Sequence, residues 1–318
     1  MRLDRGLGRI LPEIGLRGCR RLIAGGGVLL NGRAARAATR LREGDRLLIG
    51  REGGERESPP TECPFLLDSQ GEYRFFFKPA GLHSADLAGG AAQSLERLCS
   101  GLTGTDGGRF LQRLDQGTSG IVAFASHDEA ARRFRLAERA GQCEKRYVAL
   151  LCGELRKPVT ACFRLDAAGR RKVRVLSDEA PELRWTFFSP LYFFAPDEAM
   201  SLIADMASCF APDEAASTGL TLSAAAIRLG VRHQIRAHAA ALGHPLWGDD
   251  MYGAASPPAH FFLHHGALAW PEASCRMLPS WRLPERALDA VSEWLRFPAQ
   301  DAARQVLRRG EKGFERPA

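Results

Sequence analysis

The chain has 318 residues and a mass of 34.8 kDa, more than one small module needs and enough for a substantial core with an appended domain. Apolar residues at 45% and charged residues at 25% are ordinary globular usage, which excludes collagen-like, coiled-coil and wholly disordered chains. The net charge of +7 is uneven: residues 1–50 carry 11 arginines against 4 acids, while the rest of the chain holds 33 bases and 33 acids. A basic head on a balanced body suits contact with a polyanion through phosphate neutralisation, the plainer alternative being an arginine-rich solvated face.

Leu3, Leu7, Ile10, Leu11 and Ile14 follow helical spacing, and Pro12 predicts an end or bend near Leu11. A second short helix through Arg17, Arg20, Arg21, Leu22 and Ile23 stops at Gly25-Gly26-Gly27, since glycine accepts the left-handed cap without steric cost. Val28–Leu30 is a predicted strand, Asn31-Gly32 a tight turn, and Arg46–Ile49 a further strand after Glu43-Gly44-Asp45. These fifty residues therefore predict two helices and a small hairpin. With the leading Arg2-Leu3-Asp4, Ile23 before the glycines, Val28 with Asn31-Gly32, and Gly44-Asp45, they resemble the S-four-type RNA-binding domain. The resemblance implies a small N-terminal α/β RNA-binding domain over residues 1–50, with Arg17, Arg20 and Arg21 facing structured RNA rather than merely solvent. Residues 51–62 lack large apolar groups and carry paired Gly and paired Pro, the composition of a linker.

Beyond the linker, Tyr73–Phe77 is a predicted aromatic strand running into Lys78-Pro79-Ala80-Gly81-Leu82-His83, where Pro and Gly demand a loop. Arg113-Leu114-Asp115-Gln116-Gly117-Thr118-Ser119-Gly120 is turn-rich and leads into a strand over 121–125, followed by a helix over 128–139. Residues 145–151 form a strand ended by Gly153, and 222–229 another. His233–Leu242 predicts a helix stopped by Gly243 and Pro245, before the loop Gly248-Asp249-Asp250-Met251-Tyr252-Gly253. Strands outnumber helices, so the class is α+β. The eight cysteines, at 19, 63, 99, 143, 152, 162, 209 and 275, form no C-x-x-C pair and are expected as buried thiols. Charges at Arg2, Asp4, Arg5 and Arg9 interrupt the first apolar positions, and no later run approaches the roughly 20 apolar residues of a membrane span. A cytoplasmic chain with no membrane partner is expected.

No phosphate-binding loop, no G-x-S-x-G elbow and no dinucleotide-type G-x-G-x-x-G is present. Six of the eight histidines fall between 233 and 265, which invites a metal site. Residues five apart, such as His233 and His238, sit about 140° apart around a helix and cannot share one ion as an i, i+4 pair would, so no metal is expected. What remains for chemistry is one carboxylate, several arginines and one tyrosine.

Arg113-Leu114-Asp115 with Thr118-Ser119-Gly120 closely resembles the H-R-L-D-x-x-T-S-G motif of the RluA-type pseudouridine synthases. Further blocks follow in that family's order: Lys78-Pro79-Ala80-Gly81 for K-P-x-G, Lys145–Ala149 for K-x-Y-x-A, and His233–Gly253 for H-Q-I-R-x-H with its trailing G-D-x-x-Y-G. Leu263-His264 resembles the terminal L-H-A block. The likeness spans residues 63–297 as a catalytic domain, leaving a charged tail at 298–318. It implies a mixed, mainly antiparallel central sheet with flanking helices and loops, acting as a monomer on ribosomal or transfer RNA. The implied reaction converts uridine to pseudouridine, with neither metal nor organic cofactor. Asp115 is implied as the catalytic carboxylate, Arg236 as the arginine paired with it, and Tyr147 as the ring that stacks on the target base and assists proton removal at carbon 5. Arg113 is implied to hold the extruded nucleotide or the gap it leaves, and Lys78, Thr118, His233 and Gln234 to contact substrate. A catalytically silent RNA-binding protein on the same scaffold is the rival reading.

Two departures stand out. Gln112 replaces the usual His, so that position can share hydrogen bonds but carries no proton near neutral pH, and Leu229-Gly230-Val231-Arg232 replaces T-G-R-T. Between Arg184 and Arg228 there is no basic residue but five acids, and Ala-Pro-Asp-Glu-Ala occurs at both 195–199 and 211–215. This stretch is expected as an insertion with a short helix over Asp197–Phe210, away from phosphates or in contact with a protein.

Overall fold

A computed structural model describes residues 1–10, 15–24, 28–30, 33–34, 36–41, 47–49, 63–86, 93–103, 107–168, 171–206, 217–253 and 261–296. The expected linker at 51–62, the tail at 298–318 and the Asn31-Gly32 turn lie outside them. The chain divides into two compact units, Met1–Thr61 and Glu62–Ala318.

In the first unit, α1 (Leu3–Ile10) and α2 (Gly15–Ala24) precede β1 (Val28–Leu30), β2 (Arg33–Ala34) and β3 (Leu47–Ile49). The strands form an antiparallel sheet in the order β2-β1-β3. The two-residue β2 is the strand the sequence did not announce, being too short to show a period. Leu3 and Leu7, one turn apart on α1, are buried, as are Cys19 and Ile23 of α2. Asp4 is also fully buried, and accepts from Arg2 Nε at 3.2 Å and from Arg20 Nε at 2.9 Å. The Arg20 bond, foremost, holds this carboxyl below its ordinary range. The Arg-Leu-Asp signature thus ties α1 to α2, and Arg20, expected to face RNA, is engaged within the fold. Arg17 is exposed on the same helix.

The second unit is built on a ten-stranded sheet. Its strands are β4 (Phe65–Gln70), β5 (Tyr73–Lys78), β6 (Arg109–Phe110), β7 (Ser119–Ala125), β8 (Glu144–Cys152), β9 (Val159–Ala161), β12 (Thr186–Phe194), β13 (Leu220–Ile227), β14 (Leu263–Trp270) and β15 (Ala273–Arg276). The order is β4-β5-β7-β14-β8-β13-β12-β9, with β15 also on β14 and β6 also on β7. Every pairing is antiparallel except β14 with β7. A separate antiparallel ribbon is formed by β10 (Phe163–Asp166) and β11 (Arg174–Glu179). The mixed, mainly antiparallel α+β architecture expected from the sequence is the one observed.

Strand parity sorts the core. On β8, Val148 and Leu150 join one apolar cluster, capped by Ala199, Leu202 and Ile203 of α6 (Pro196–Met206) and by Ala287 and Val291 of α8 (Glu285–Trp294). Tyr147, Ala149 and Leu151 point to the other face, with Ile235 and Ala239 of α7 (Gln234–Ala241). Two short helices, α3 (Leu95–Leu98) and α4 (Ser100–Thr103), bring Leu95 and Cys99 to this second cluster. Helix α5 (Asp128–Arg139) buries Ala130, Ala131, Phe134 and Ala137 as one stripe, Phe134 meeting Trp270 edge-on at 5.1 Å.

Two expectations are corrected. The segment between Arg184 and Arg228 is not simply an insertion: its first part is β12, hydrogen-bonded between β13 and β9, and α6 seals one sheet face. Residues 207–216 lie outside the description. The cysteines are not uniformly buried, for Cys63 is exposed and Cys152 half-buried. Among the described residues no helix is long and apolar enough to cross a membrane.

Three histidines are sealed into the second unit as neutral rings. Burial pushes His238 and His264 down to about 4 and His265 down to about 3. Because the unfolded chain binds these protons near pH 6.5 and the folded one does not, stability falls as pH drops through 6.5 towards 4. Each ring should cost about 2 kcal/mol between pH 7 and pH 5. The urea midpoint should fall accordingly over that interval; a constant midpoint would contradict neutral burial.

Candidate active site

Four adjacent strands, β5, β7, β14 and β8, deliver the predicted chemistry to one region. Lys78 ends β5, Asp115 lies in the loop entering β7, and Tyr147 sits mid-β8. The two loops are zipped together. Gly81 N donates to the Gln116 carbonyl at 2.8 Å, and Gln116 Nε2 donates to the Gly81 carbonyl at 3.1 Å. Ser84 Oγ donates to the Leu114 carbonyl at 2.8 Å and accepts from Leu114 N at 2.9 Å. A turn bond from Thr118 N to the Asp115 carbonyl, at 3.0 Å, closes the Asp115 loop.

Lys78, expected at the substrate, is instead fully buried and donates to the carbonyls of Pro79, Leu82 and Gln116 at 2.9, 2.7 and 3.1 Å. Burial pushes its pKa down to about 7, against the upward pull of Asp115. Its place is as a bolt between the loops. Gln234 is corrected in the same way: it is buried, its amide nitrogen donates to the Arg184 carbonyl at 2.8 Å and to Thr186 Oγ1 at 3.0 Å, and its oxygen accepts from Val231 N at 2.9 Å. The family blocks implied substrate contact at both positions; the partners seen are the chain's own backbone and the Thr186 hydroxyl.

Asp115 is the carboxylate that stays open, with 22% of its side chain exposed. Arg236 Nη1 reaches its Oδ2 at 3.4 Å. The stronger claim on Arg236 comes from Asp249, a residue the sequence reading passed over: Nε and Nη2 donate to its two oxygens at 2.7 and 2.8 Å. Asp249 Oδ1 also accepts from Met251 N and Tyr252 N at 3.0 and 3.2 Å. The guanidinium lies 4.2 Å from the Phe261 ring centre and 5.2 Å from that of Tyr252. Burial depresses Arg236, but the bonds to Asp249 and then Asp115 outweigh it and hold the pKa above its ordinary value.

His233 caps α7 in the left-handed region, at φ 56°. Tyr252 Oη accepts from Val173 N at 2.8 Å, so its proton is free to donate to His233 Nδ1 at 3.1 Å. Burial keeps His233 below its ordinary value, opposed by Asp115. Tyr147 is 7% exposed and its hydroxyl has no hydrogen-bond partner among the described residues. Burial first, and then the Asp115 charge, push the phenol above its usual range. Thr118 is buried beside the loop turn and Arg113 is exposed. His238 accepts from Thr186 Oγ1 at 2.8 Å and donates to the Phe163 carbonyl at 2.9 Å, which leaves no nitrogen for a metal. No group of three metal-ligating side chains occurs among the described residues. A cavity of about 450 Å³ at β4 and β15, between Leu67, Asp68, Ser274, Cys275 and Arg276, includes none of these groups.

Residues 72–241 match the RNA pseudouridylate synthase family, and residues 1–47 match the S4 domain. An uncharacterised RNA pseudouridine synthase of Aquifex aeolicus is 26% identical over 79% of this chain and 77% of its own. The ribosomal large subunit pseudouridine synthase D of Nitrosomonas europaea is 25% identical over 81% and 70%. The solved human RNA pseudouridylate synthase domain containing 1 covers 78% of this chain and 95% of its own at 20% identity with a TM-score of 0.52, a likeness of fold. Since the family match takes in more than half of the chain, and the open carboxylate sits in the loop that carried the sequence likeness, the protein belongs to the RNA pseudouridylate synthases, isomerases that modify RNA.

Proposed function

We propose that the protein converts specific uridines of ribosomal or transfer RNA to pseudouridine, with Asp115 attacking at the ribose. The carrying observation is that Asp115 alone among the polar groups of the zipped loops is left both open and beside a fixed cation. In the reaction the bond from uracil N1 to ribose C1′ breaks, the base turns, and C5 bonds to C1′. The C5 proton leaves and N1 gains one, so atoms and electrons balance without a redox partner. Asp115 stabilises or captures C1′ while the base is free. Tyr147 presents its ring to the base, with its hydroxyl near the departing C5 proton. Arg236, clamped by Asp249, aims and neutralises Asp115, while Thr118 and His233 shape the pocket wall. Arg113 meets the strand from which the base has been extruded. The name of the Nitrosomonas europaea relative supports ribosomal RNA as the first substrate to test.

Asp115→Asn keeps the side chain's shape and removes its charge, so isomerisation should fall on the order of a thousandfold or more with RNA affinity nearly unchanged. The check is pseudouridine mapping in RNA from cells carrying either form; equal modification would refute the assignment. A wild-type protein that binds RNA but leaves every uridine intact would favour the silent RNA-binding reading.

Arg236 offers a second check. Lysine cannot span Asp249 and reach Asp115 together, so turnover should fall in the order Arg, Lys, Ala. Because Asp249 is wholly buried, Arg236→Ala should also cost about 3–5 kcal/mol of stability by leaving that charge uncompensated. Equal turnover of the three folded proteins would show that the guanidinium does not act on Asp115.

Removing residues 1–50 takes away the whole charge excess. RNA binding should weaken, and the plot of log affinity against log salt should flatten. An unaltered slope would place the basic head off the RNA.

A further inference from the structure

We infer that His265 is a positioning residue for the isomerisation, setting the height of the Tyr147 ring beside the Asp115 loop. This rests on the reading of Tyr147 as the residue that meets the target base. Strand β14 runs between β7 and β8, and His265 lies opposite Gly120 on one side and Tyr147 on the other. Its imidazole is stacked on the Tyr147 ring with centres 4.5 Å apart and planes 21° from parallel. On the other side, Nδ1 donates to the Ile121 carbonyl at 2.6 Å, in strand β7 just after the Asp115 loop. One ring therefore joins the strand that carries the base-facing aromatic to the strand that leaves the nucleophile's loop.

The choice of residue is specific. His265 is completely buried, and its Nε2 has no partner among the described residues. A hydrocarbon ring would fill the space without leaving a nitrogen unpaired, but it could not grip Ile121. Burial pushes the imidazole down to about 3, so it stacks as a neutral ring throughout the physiological range. His265 also stands in the place of the alanine of the L-H-A string, which could neither stack nor bond. Gln112, which stands where the family motif has His, approaches the same Ile121 carbonyl with Nε2 at 3.5 Å. The two changes meet on one backbone group.

The test uses the full-length protein and an RNA on which it is active, with kcat and KM measured separately. His265→Ala should lower kcat by roughly tenfold to a hundredfold with KM within about twofold, because a misplaced ring costs the chemical step rather than RNA capture. His265→Phe, which keeps the stack, and His265→Asn, which keeps the bond to Ile121, should each recover only part of the loss. In single-turnover assays the Tyr147→Ala, His265→Ala double variant should be no slower than Tyr147→Ala alone, since His265 acts through that ring. Melting curves identify variants that fail to fold, and the Phe and Asn forms carry the comparison if Ala does. A kcat within about twofold of wild type in folded His265→Ala, or multiplying losses in the double variant, overturns the inference. If instead Asp115→Asn retains full activity, it is the underlying assignment of the site that fails.

Discussion

The buried guanidinium of Arg236 is the constraint around which the catalytic region is arranged. A cation at 5% side-chain exposure needs its charge answered, and Asp249 answers it with both oxygens. That commitment fixes the plane of the fork, and the plane decides that only Nη1 remains to reach Asp115. The loop after α7 is shaped to hold the carboxylate in place. Gly248 turns at φ +86°, Met251 N and Tyr252 N close on Asp249 Oδ1, and Gly253 N donates to the Asp249 carbonyl at 2.8 Å. A Cβ at Gly253 would sit 2.8 Å from that carbonyl, so the second glycine is required by close approach. The G-D-x-x-Y-G string is thus the outline of a turn wrapped around one carboxylate.

A second constraint lies at the single parallel pairing. Gly120 has φ +119°, and a Cβ there would collide with the His265 backbone. With glycine, β7 can leave the Asp115 loop directly against β14, and Ser119 Oγ donates to His264 Nδ1 at 2.9 Å while His264 donates onward to the Met277 carbonyl at 3.2 Å. The Ser-Gly end of the loop is therefore structural, while the Asp115 carboxylate stays partly open.

Much of this was legible in the sequence where a local period or a turn residue carried the information. The helix over 128–139 appears with the expected bounds because His127 caps it and a single apolar stripe marks its face. Strands β5 and β8 announced themselves by aromatic or aliphatic runs ended by Pro79 and Gly153, and β7 by an apolar run opening after Gly120. Strand β12 did not, because Pro190 and a register shift break its pattern, and its acids belong to the helix that follows. Lys78 and Gln234 stand in family blocks, and a block match does not distinguish a substrate contact from a bond to the chain's own backbone. Asp249 was in view within its glycine-flanked block, yet its pairing with a residue thirteen positions away follows from the turn and not from helical spacing.

The charge arithmetic of the site links these details to RNA. Asp115, Asp249 and Arg236 carry one formal negative charge between them, which repels a polyanion such as RNA. The exposed cations nearby work against that repulsion: Arg113 two residues from Asp115, Arg232 beside His233, and Lys172 with its ammonium 5.0 Å from the Tyr252 ring centre. They are few, and residues 51–318 as a whole hold 33 bases against 33 acids. The charge excess lies in the arginine-rich first fifty residues, where Asp4 engages Arg20 and Arg2 but the other cations outnumber the remaining acids. Holding the charge excess in one unit leaves the other free to keep an open carboxylate beside Arg236, the arrangement the proposed isomerisation requires.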